Sequence, residues 1–132
     1  MEITHGLFDH MVVQRTGRGE SDAVFTGTCS CSGTVRATVT RNGRRVNGFS
    51  NIAVGRVRDG HLSGRLEGLP AGGPYDVVFT CACGQRLTVR DILVGDVWLL
   101  AGQSNMEGCG FQAEAEPPHP LVRAFYADDR WA

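Results

Sequence analysis

The chain has 132 residues, of which 42% are hydrophobic and 20% charged, a balance that indicates a globular unit with a buried core. Its 13 basic and 14 acidic residues give a net charge of −1, so charge gives no reason to expect nucleic acid or an anionic membrane as a partner. All 13 basic residues are arginine, which excludes Schiff-base chemistry and a phosphate-binding lysine within these residues.

Neither a membrane span nor an export signal is visible in the sequence. No stretch approaches the roughly 20 apolar residues that a spanning helix needs, and residues 1–10 lack a basic region followed by an apolar one. We expect no membrane partner. The compartment stays open, because a signal removed before residue 1 would leave the same sequence.

Residues 1–92 have the pattern of an antiparallel β protein. Two runs place every second apolar residue on one face: Val35, Ala37 and Val39 in the first, and Tyr75, Val77, Phe79 and Cys81 in the second. Asn42-Gly43, Asp59-Gly60 and residues 71–74 mark turns, and the Asp-Gly pair predicts a two-residue hairpin. We predict a domain over residues 1–92 that is an antiparallel β-sandwich of roughly seven or eight short strands.

Residues 93–132 differ in character. Residues 97–101 are continuously apolar, which is typical of a strand buried on both faces in a parallel sheet covered by helices. We expect a turn and a short helix to follow, then a loop rich in Glu and Pro, then a second strand over residues 121–126. Such a sheet needs several βαβ units. These residues therefore look like the opening segment of an α/β domain whose remainder is missing, on a chain that is otherwise mainly β.

Ser104 lies directly after the apolar run, in the hexapeptide Gly-Gln-Ser-Asn-Met-Glu of residues 102–107. A serine at a strand-to-helix turn presents its hydroxyl at the sheet edge, where backbone N–H groups can face a developing oxyanion. The other interpretation is structural. Ser104 and Glu107 have the spacing of a capping box, so Ser104 could simply cap a short helix.

Residues 92–107 resemble the signature segment of the sialate O-acetylesterases, which belong to the SGNH (GDSL-like) hydrolases. Residues 6–15 are similar to the opening strand of that family, and residues 71–75 are similar to one of its turns. The resemblance implies a β-sandwich followed by a serine esterase domain, an acetylated carbohydrate as substrate, and no cofactor.

The resemblance also implies roles for single residues. Ser104 matches the nucleophile, and Gly102, Gln103 and Asn105 match the surrounding block that binds substrate or supports the oxyanion. The remaining oxyanion donors and the Asp-x-x-His element of that family come from later blocks and cannot be assigned here, so we expect the chain alone to be inactive. His5, His10 and His61 lie in the β region, and His119 follows Glu116 with an acid-x-x-His spacing, but we assign none of these histidines as the base.

Five cysteines are many for this length. Cys29 and Cys31 form one C-x-C pair, and Cys81 and Cys83 form a second. The four are weak candidates for a zinc site. Free thiols or disulfides explain them better, because C-x-C is a weaker metal signal than C-x-x-C, so we assign no metal. Cys109 has no evident partner, and we interpret it as a packing residue.

Two further interpretations concern binding by the β region. Arginines cluster near two predicted hairpins and could attract an acidic sugar, although a solvated strand face explains them as well: Arg41, Arg44, Arg45, Arg56 and Arg58. The alternative to an esterase is a non-catalytic β-sandwich that binds carbohydrate or protein.

Overall fold

Strands occupy most of the first 95 residues in the computed structural model, which describes residues 1–104, 106, 113 and 115–132. There are nine strands in these residues: β1 (Glu2–His5), β2 (Val12–Gln14), β3 (Glu20–Thr28), β4 (Gly33–Arg41), β5 (Arg44–Arg45), β6 (Ile52–Arg58), β7 (His61–Pro70), β8 (Gly72–Cys81) and β9 (Arg86–Gly95). The described residues contain no helix, and therefore none long and apolar enough to cross a membrane. The prediction of a mainly β chain is confirmed.

All nine strands belong to one sheet. Its order is β1-β3-β7-β6-β4-β8-β9-β2, with β5 paired to β4. Every pairing is antiparallel except that of β2 with β9, which is parallel. The sheet curls into a half-barrel, because the Thr16 N–H donates to the Glu20 carbonyl at 2.8 Å and brings the end of β2 back to β3. The two-sheet sandwich expected from the sequence is not confirmed.

One face of the sheet holds the core, and the apolar residues that were predicted to share a face are buried there. Val35, Ala37 and Val39 of β4 are buried. Tyr75, Val77, Phe79 and Cys81 of β8 are also buried. The Phe25 and Phe79 rings pack with their centroids 5.0 Å apart. The period-two prediction for these strands is confirmed, since successive side chains of a strand point to opposite faces.

The turns follow the predicted chemistry. Asp59 and Gly60 have φ values of 49° and 80° and join β6 to β7 with Arg58 opposite His61. Asn42 and Gly43 join β4 to β5 in the same left-handed region. Two successive positive φ values define the hairpin turn that the twist of paired strands favours. The predicted two-residue hairpin at residues 59–60 is confirmed.

The predicted strands in residues 97–126 are wrong for the described part of the chain. Residues 97–101 form no strand, and Trp98, Leu99 and Leu100 are exposed by 81%, 92% and 75%. A strand buried on both faces needs flanking strands and covering helices, and the described residues supply neither. Residues 121–126 form no strand either, apart from one bridge between Phe125 and Trp131. The expected start of an α/β domain is not visible.

Candidate functional site

Three separate segments of the chain meet beside the point where the chain leaves the sheet. The register of β2 places Val12, Val13 and Gln14 opposite Leu93, Val94 and Gly95 of β9. On the other side of β9, the start of β8 places Gly72 opposite Val94 and Tyr75 opposite Ile92. Parts of residues 6–15, 71–75 and 92–95 thus lie side by side at the end of the sheet where β2 is the edge strand. These segments carry the resemblance described above. The last of them, residues 92–107, continues beyond the sheet after Gly95.

Close packing fixes this edge. A Cβ atom added to Gly73 would lie 2.6 Å from the carbonyl oxygen of Ile92, and the φ of Gly73 is +129°. Real Cβ atoms do not approach backbone oxygen so closely, and other residues rarely adopt this φ. A glycine at position 73 is therefore required for β8 and β9 to pack together here.

The chain is held to β2 immediately after β9 ends. Arg15 binds Asp96 through two hydrogen bonds of 2.9 and 3.1 Å, and the Val97 N–H donates to the Gln14 Oε1 atom at 2.8 Å. The hydrogen bond from Arg15 lowers the pKa of Asp96 below its ordinary value, and the Arg15 charge adds to the effect while desolvation opposes it. These contacts set the direction in which residues 98–104 leave the sheet.

Ser104 lies at the end of this exposed segment, within a turn. The Met106 N–H donates to the Gln103 carbonyl at 2.8 Å, and the side chains of Gln103 and Ser104 are exposed. A Cβ atom on Gly102 would lie 2.6 Å from the Met106 Cγ atom, so the Met106 side chain folds over Gly102. Ser104 is therefore accessible to a reactant. Asn105, Glu107 and Cys109 lie outside the described residues, so neither the expected short helix nor the capping-box interpretation of Ser104 and Glu107 is tested.

Within the described residues, no histidine contacts Ser104. His119 accepts a hydrogen bond at Nδ1 from the Leu121 N–H at 3.2 Å, so this nitrogen is used by its own turn. His5 pairs with the Thr4 hydroxyl at 3.0 Å, and His61 is exposed at the start of β7. His10 Nδ1 lies 2.7 Å from Asp91 Oδ2. The part of the chain that the structure describes does not assemble a nucleophile with its base.

The His10–Asp91 pair belongs instead to a junction between the sheet and the end of the chain. Arg123 donates to both carboxylate oxygens of Asp91, at 3.1 and 3.0 Å. Burial raises the pKa of Asp91, but the hydrogen bond from His10 and the charge and hydrogen bonds of Arg123 outweigh it, so the pKa lies below its ordinary value. An open cavity of about 530 Å³ lies beside this junction, lined by Phe8, Asp9, His10, Asp129, Arg130, Trp131 and Ala132. Ser104 does not line it.

The four cysteines of the two C-x-C pairs come together at one end of the sheet. Cys29 and Cys31 lie in the β3–β4 connection, Cys81 is the last residue of β8, and Cys83 lies in the β8–β9 connection. All four Sγ atoms lie within 4.8 Å of one another. Sequence spacing identified the two pairs only. It could not show that the two pairs meet, because pairing of β4 with β8 brings them together across the sheet.

The cluster is partly shielded from solvent. Cys29 and Cys81 are buried, Cys31 is half-buried and Cys83 is exposed. The sulfurs of Cys31 and Cys83 are in disulfide contact, and Cys29 and Cys81 are thiols. Burial raises the pKa of the Cys81 thiol, but hydrogen bonds from the Cys83 N–H, from the Cys29 thiol and from the Gln85 N–H lower it below its ordinary value.

The predicted arginine cluster is a solvated surface in the structure. Its five members are all exposed, and none of them forms an ion pair with another described residue: Arg41, Arg44, Arg45, Arg56 and Arg58. The Arg41 guanidinium lies 5.9 Å from the centroid of the Tyr75 ring. This arrangement gives no shaped site for an acidic sugar.

Comparison with known proteins gives a local similarity to an esterase. No model of a known protein family matches the chain. One stretch of 45 residues is 44% identical to part of a sialate O-acetylesterase of Mus musculus. That stretch covers 32% of this chain and 8% of the length of the relative. The similarity thus points towards a hydrolase and does not extend over the whole chain.

Proposed function

We propose that these 132 residues are part of a carbohydrate O-acetylesterase and that Ser104 is its nucleophile. The observation that carries the proposal is an exposed serine in the hexapeptide of residues 102–107, on a segment anchored to β2 by Arg15 and Gln14. The local similarity to a sialate O-acetylesterase supports the same class of reaction.

The reaction follows from the chemistry of an activated serine. Once a base takes its proton, the Ser104 Oγ attacks the acetyl carbonyl carbon and forms a tetrahedral intermediate. The sugar oxygen then leaves with a proton, and an acetyl-serine remains. Water attacks that ester, acetate is released and the serine is restored. The resemblance implies that the Ser104 N–H stabilises the oxyanion, and that Gly102, Gln103 and Asn105 bind substrate or support the oxyanion.

The proposal requires a base that the described residues do not place beside Ser104. We propose that an Asp-x-x-His element and further oxyanion donors belong to polypeptide that continues the α/β domain beyond residue 132. Residues 93–132 would open that domain, and the exposed apolar side chains of Trp98, Leu99 and Leu100 would be covered there. Residues 1–92 would form a separate supporting domain, although β9 itself continues to Gly95.

Replacing the nucleophile tests the assignment. In a protein that contains these residues together with the proposed α/β remainder, Ser104→Ala should lower the rate of acetate release from an O-acetylated sialic acid by about 1,000-fold or more, because nucleophile and base act as a unit. The measurement is kcat/KM by an enzymatic acetate assay. Ser63→Ala, a change at an exposed serine of β7, is the matched control and should leave the rate unchanged.

Loss of turnover in Ser104→Ala alone, with unchanged folding by circular dichroism, supports the esterase and its nucleophile. Turnover that persists in Ser104→Ala removes Ser104 as the nucleophile. No acetate release from the unaltered protein would remove the esterase assignment and favour a non-catalytic binding module.

A further inference from the structure

We propose that Cys29, Cys31, Cys81 and Cys83 bind one Zn²⁺ ion as a closed structural site in the reduced chain. The proposal is independent of the esterase assignment, because all four ligands lie within residues 29–83, at the ends of strands of the sheet, and none lies near residues 102–107 in the sequence. It concerns how the β region is held together.

The positions of the four sulfurs fit one ion. Four thiolates at the usual Zn–S distance of about 2.3 Å occupy the corners of a tetrahedron with edges of about 3.8 Å. The Sγ atoms of Cys29 and Cys31 are 3.4 Å apart, those of Cys31 and Cys81 are 3.1 Å apart, and no pair exceeds 4.8 Å. The Sγ atoms of Cys81 and Cys83 are 3.0 Å apart, and those of Cys31 and Cys83 are in disulfide contact, so the cluster must open slightly to hold the ion.

A disulfide accounts for only half of this cluster. A Cys31–Cys83 disulfide leaves the thiols of Cys29 and Cys81 buried beside it. The disulfide does not explain why these two thiols lie at the same place. A zinc ion uses all four. Zinc binding first needs the Cys31–Cys83 pair in its reduced form, which a thiol or phosphine reductant supplies with two electrons and two protons. The four thiols then lose four protons as the ion binds, so the site carries a charge of −2.

The ligand set suits zinc, and the spacing of the sulfurs suits a single ion rather than a cluster. Four thiolates in a tetrahedron suit zinc or iron–sulfur chemistry. An iron–sulfur cluster holds its ligands further apart than a single ion does, because several metal atoms lie between them, and these sulfurs are too close for that. Four protein ligands leave no open position for water or substrate, so the ion is structural rather than catalytic.

The surrounding loops are built to bring the two pairs together. A Cβ atom on Gly33 would lie 2.9 Å from the Cβ of Ala82, and the φ of Gly33 is +132°, so only glycine allows this approach. Gln85 joins the two loops, since its Nε2 donates to the Ser30 hydroxyl at 2.9 Å and its Oε1 accepts from the Cys29 thiol at 3.3 Å. Exposed Cys83 leaves a path by which the ion enters.

The ion would link parts of the chain that are far apart in sequence. Cys31 and Cys83 are 52 residues apart, and the link joins the β3–β4 connection to the β8–β9 connection. Because the site does not exist in the unfolded chain, the free energy of zinc binding becomes free energy of folding. Removing the ion should therefore lower the thermal stability of the chain.

Metal content and thiol accessibility test the proposal on the whole chain. Protein purified with a phosphine reductant should contain about one zinc and no iron by inductively coupled plasma mass spectrometry. Four thiols should react with a disulfide reagent only after a mercurial or a strong chelator releases the zinc. Cobalt exchanged into the site should give the thiolate charge-transfer and tetrahedral d–d absorption bands.

Matched variants assign the ligands. Cys83→Ser should lower bound zinc to background, and Cys83→His should retain zinc with a changed cobalt spectrum, because imidazole replaces thiolate in a four-ligand site. Cys109→Ser removes a cysteine outside the cluster and should bind zinc like the wild type. If Cys83→Ser fails to fold, the wild-type thiol count and Cys83→His decide the question.

Three results would overturn the proposal: reduced wild-type chain that takes up neither zinc nor cobalt, stoichiometric iron in place of zinc, or unchanged zinc content in a folded Cys83→Ser variant.

Discussion

At the residue scale, Asp91 of β9 attaches the last part of the chain to the sheet through Arg123. Its carboxylate binds His10 on one side and Arg123 on the other, and its own N–H donates to the Asp76 carboxylate at 3.0 Å. Arg123 is the least exposed of the ion-paired arginines, at 16%, so this pair is shielded from water more than the exposed pairs on the sheet. Such shielding strengthens an ion pair relative to one on an open surface.

Acid should release this junction. The pKa of Asp91 is lowered in the folded chain, so the stabilisation it provides is complete above the ordinary aspartate pKa of about 3.9 and is lost as the pH falls through the lower folded value. We expect Trp131, which packs on Phe125, to become more accessible to a neutral quencher only below about pH 4. Fluorescence quenching in a Trp98→Phe background measures this directly.

Asp91→Asn should reproduce the acid-released state at pH 7, because the amide carries no charge for Arg123 to pair with. Asp22→Asn is the matched control, since Asp22 pairs with Arg65 at 3.1 Å on the sheet surface. Equal Trp131 quenching in wild type and Asp91→Asn at pH 7 would show that Asp91 does not hold this junction.

The sequence predicts which residues of a strand are buried, but not which distant residues come into contact. The buried positions of β4 and β8 follow from alternation, since the period of two is local. The Asp91–Arg123 pair joins positions 32 apart, and the cysteine cluster joins positions 52 apart. No local pattern encodes such contacts, because they arise only when the sheet forms.

At the scale of elements, Gly64 of β7 lies where the Phe25 ring and the β6 backbone leave no room for a side chain. A Cβ atom there would lie 2.3 Å from a Phe25 ring carbon and 2.5 Å from the Val54 carbonyl oxygen. Gly64→Ala should therefore lower the free energy of unfolding by about 1–3 kcal/mol or more, because the Phe25 ring and the β6 backbone must both move. Urea unfolding gives the value.

Gly17→Ala is the matched control for this substitution. No atom lies within 4 Å of a Cβ atom at Gly17, so its unfolding free energy should change by no more than about 0.5 kcal/mol. A Gly64→Ala variant as stable as Gly17→Ala would show that β7 and β3 do not pack as described.

Strand pairing was less predictable than strand existence. Alternation and the Asp59-Gly60 turn fix hairpins between neighbours in sequence, but they say nothing about β2 lying parallel to β9 across more than half of the chain. Residues 97–101 were predicted as a strand from their apolar character. They form no strand and are exposed, because a strand is stabilised by partners, and the described residues offer none at that position.

At the scale of the whole molecule, the described chain is a curled β sheet from which an exposed segment carrying Ser104 extends. The sheet buries a continuous core through Gly95, whereas residues 97–104 have no buried side chain. The chemistry proposed for Ser104 therefore requires a base that the described residues do not place beside it.

The most direct measurement of the central claim is a trapped acyl-enzyme. A protein that contains these residues and the proposed α/β remainder is mixed with an isotopically labelled acetyl ester, quenched in acid during turnover, and digested for peptide mass spectrometry. The account predicts labelled acetyl on Ser104 and none in Ser104→Ala. Label on another side chain, or rapid turnover with Ser104 unlabelled at every quench time, would contradict it.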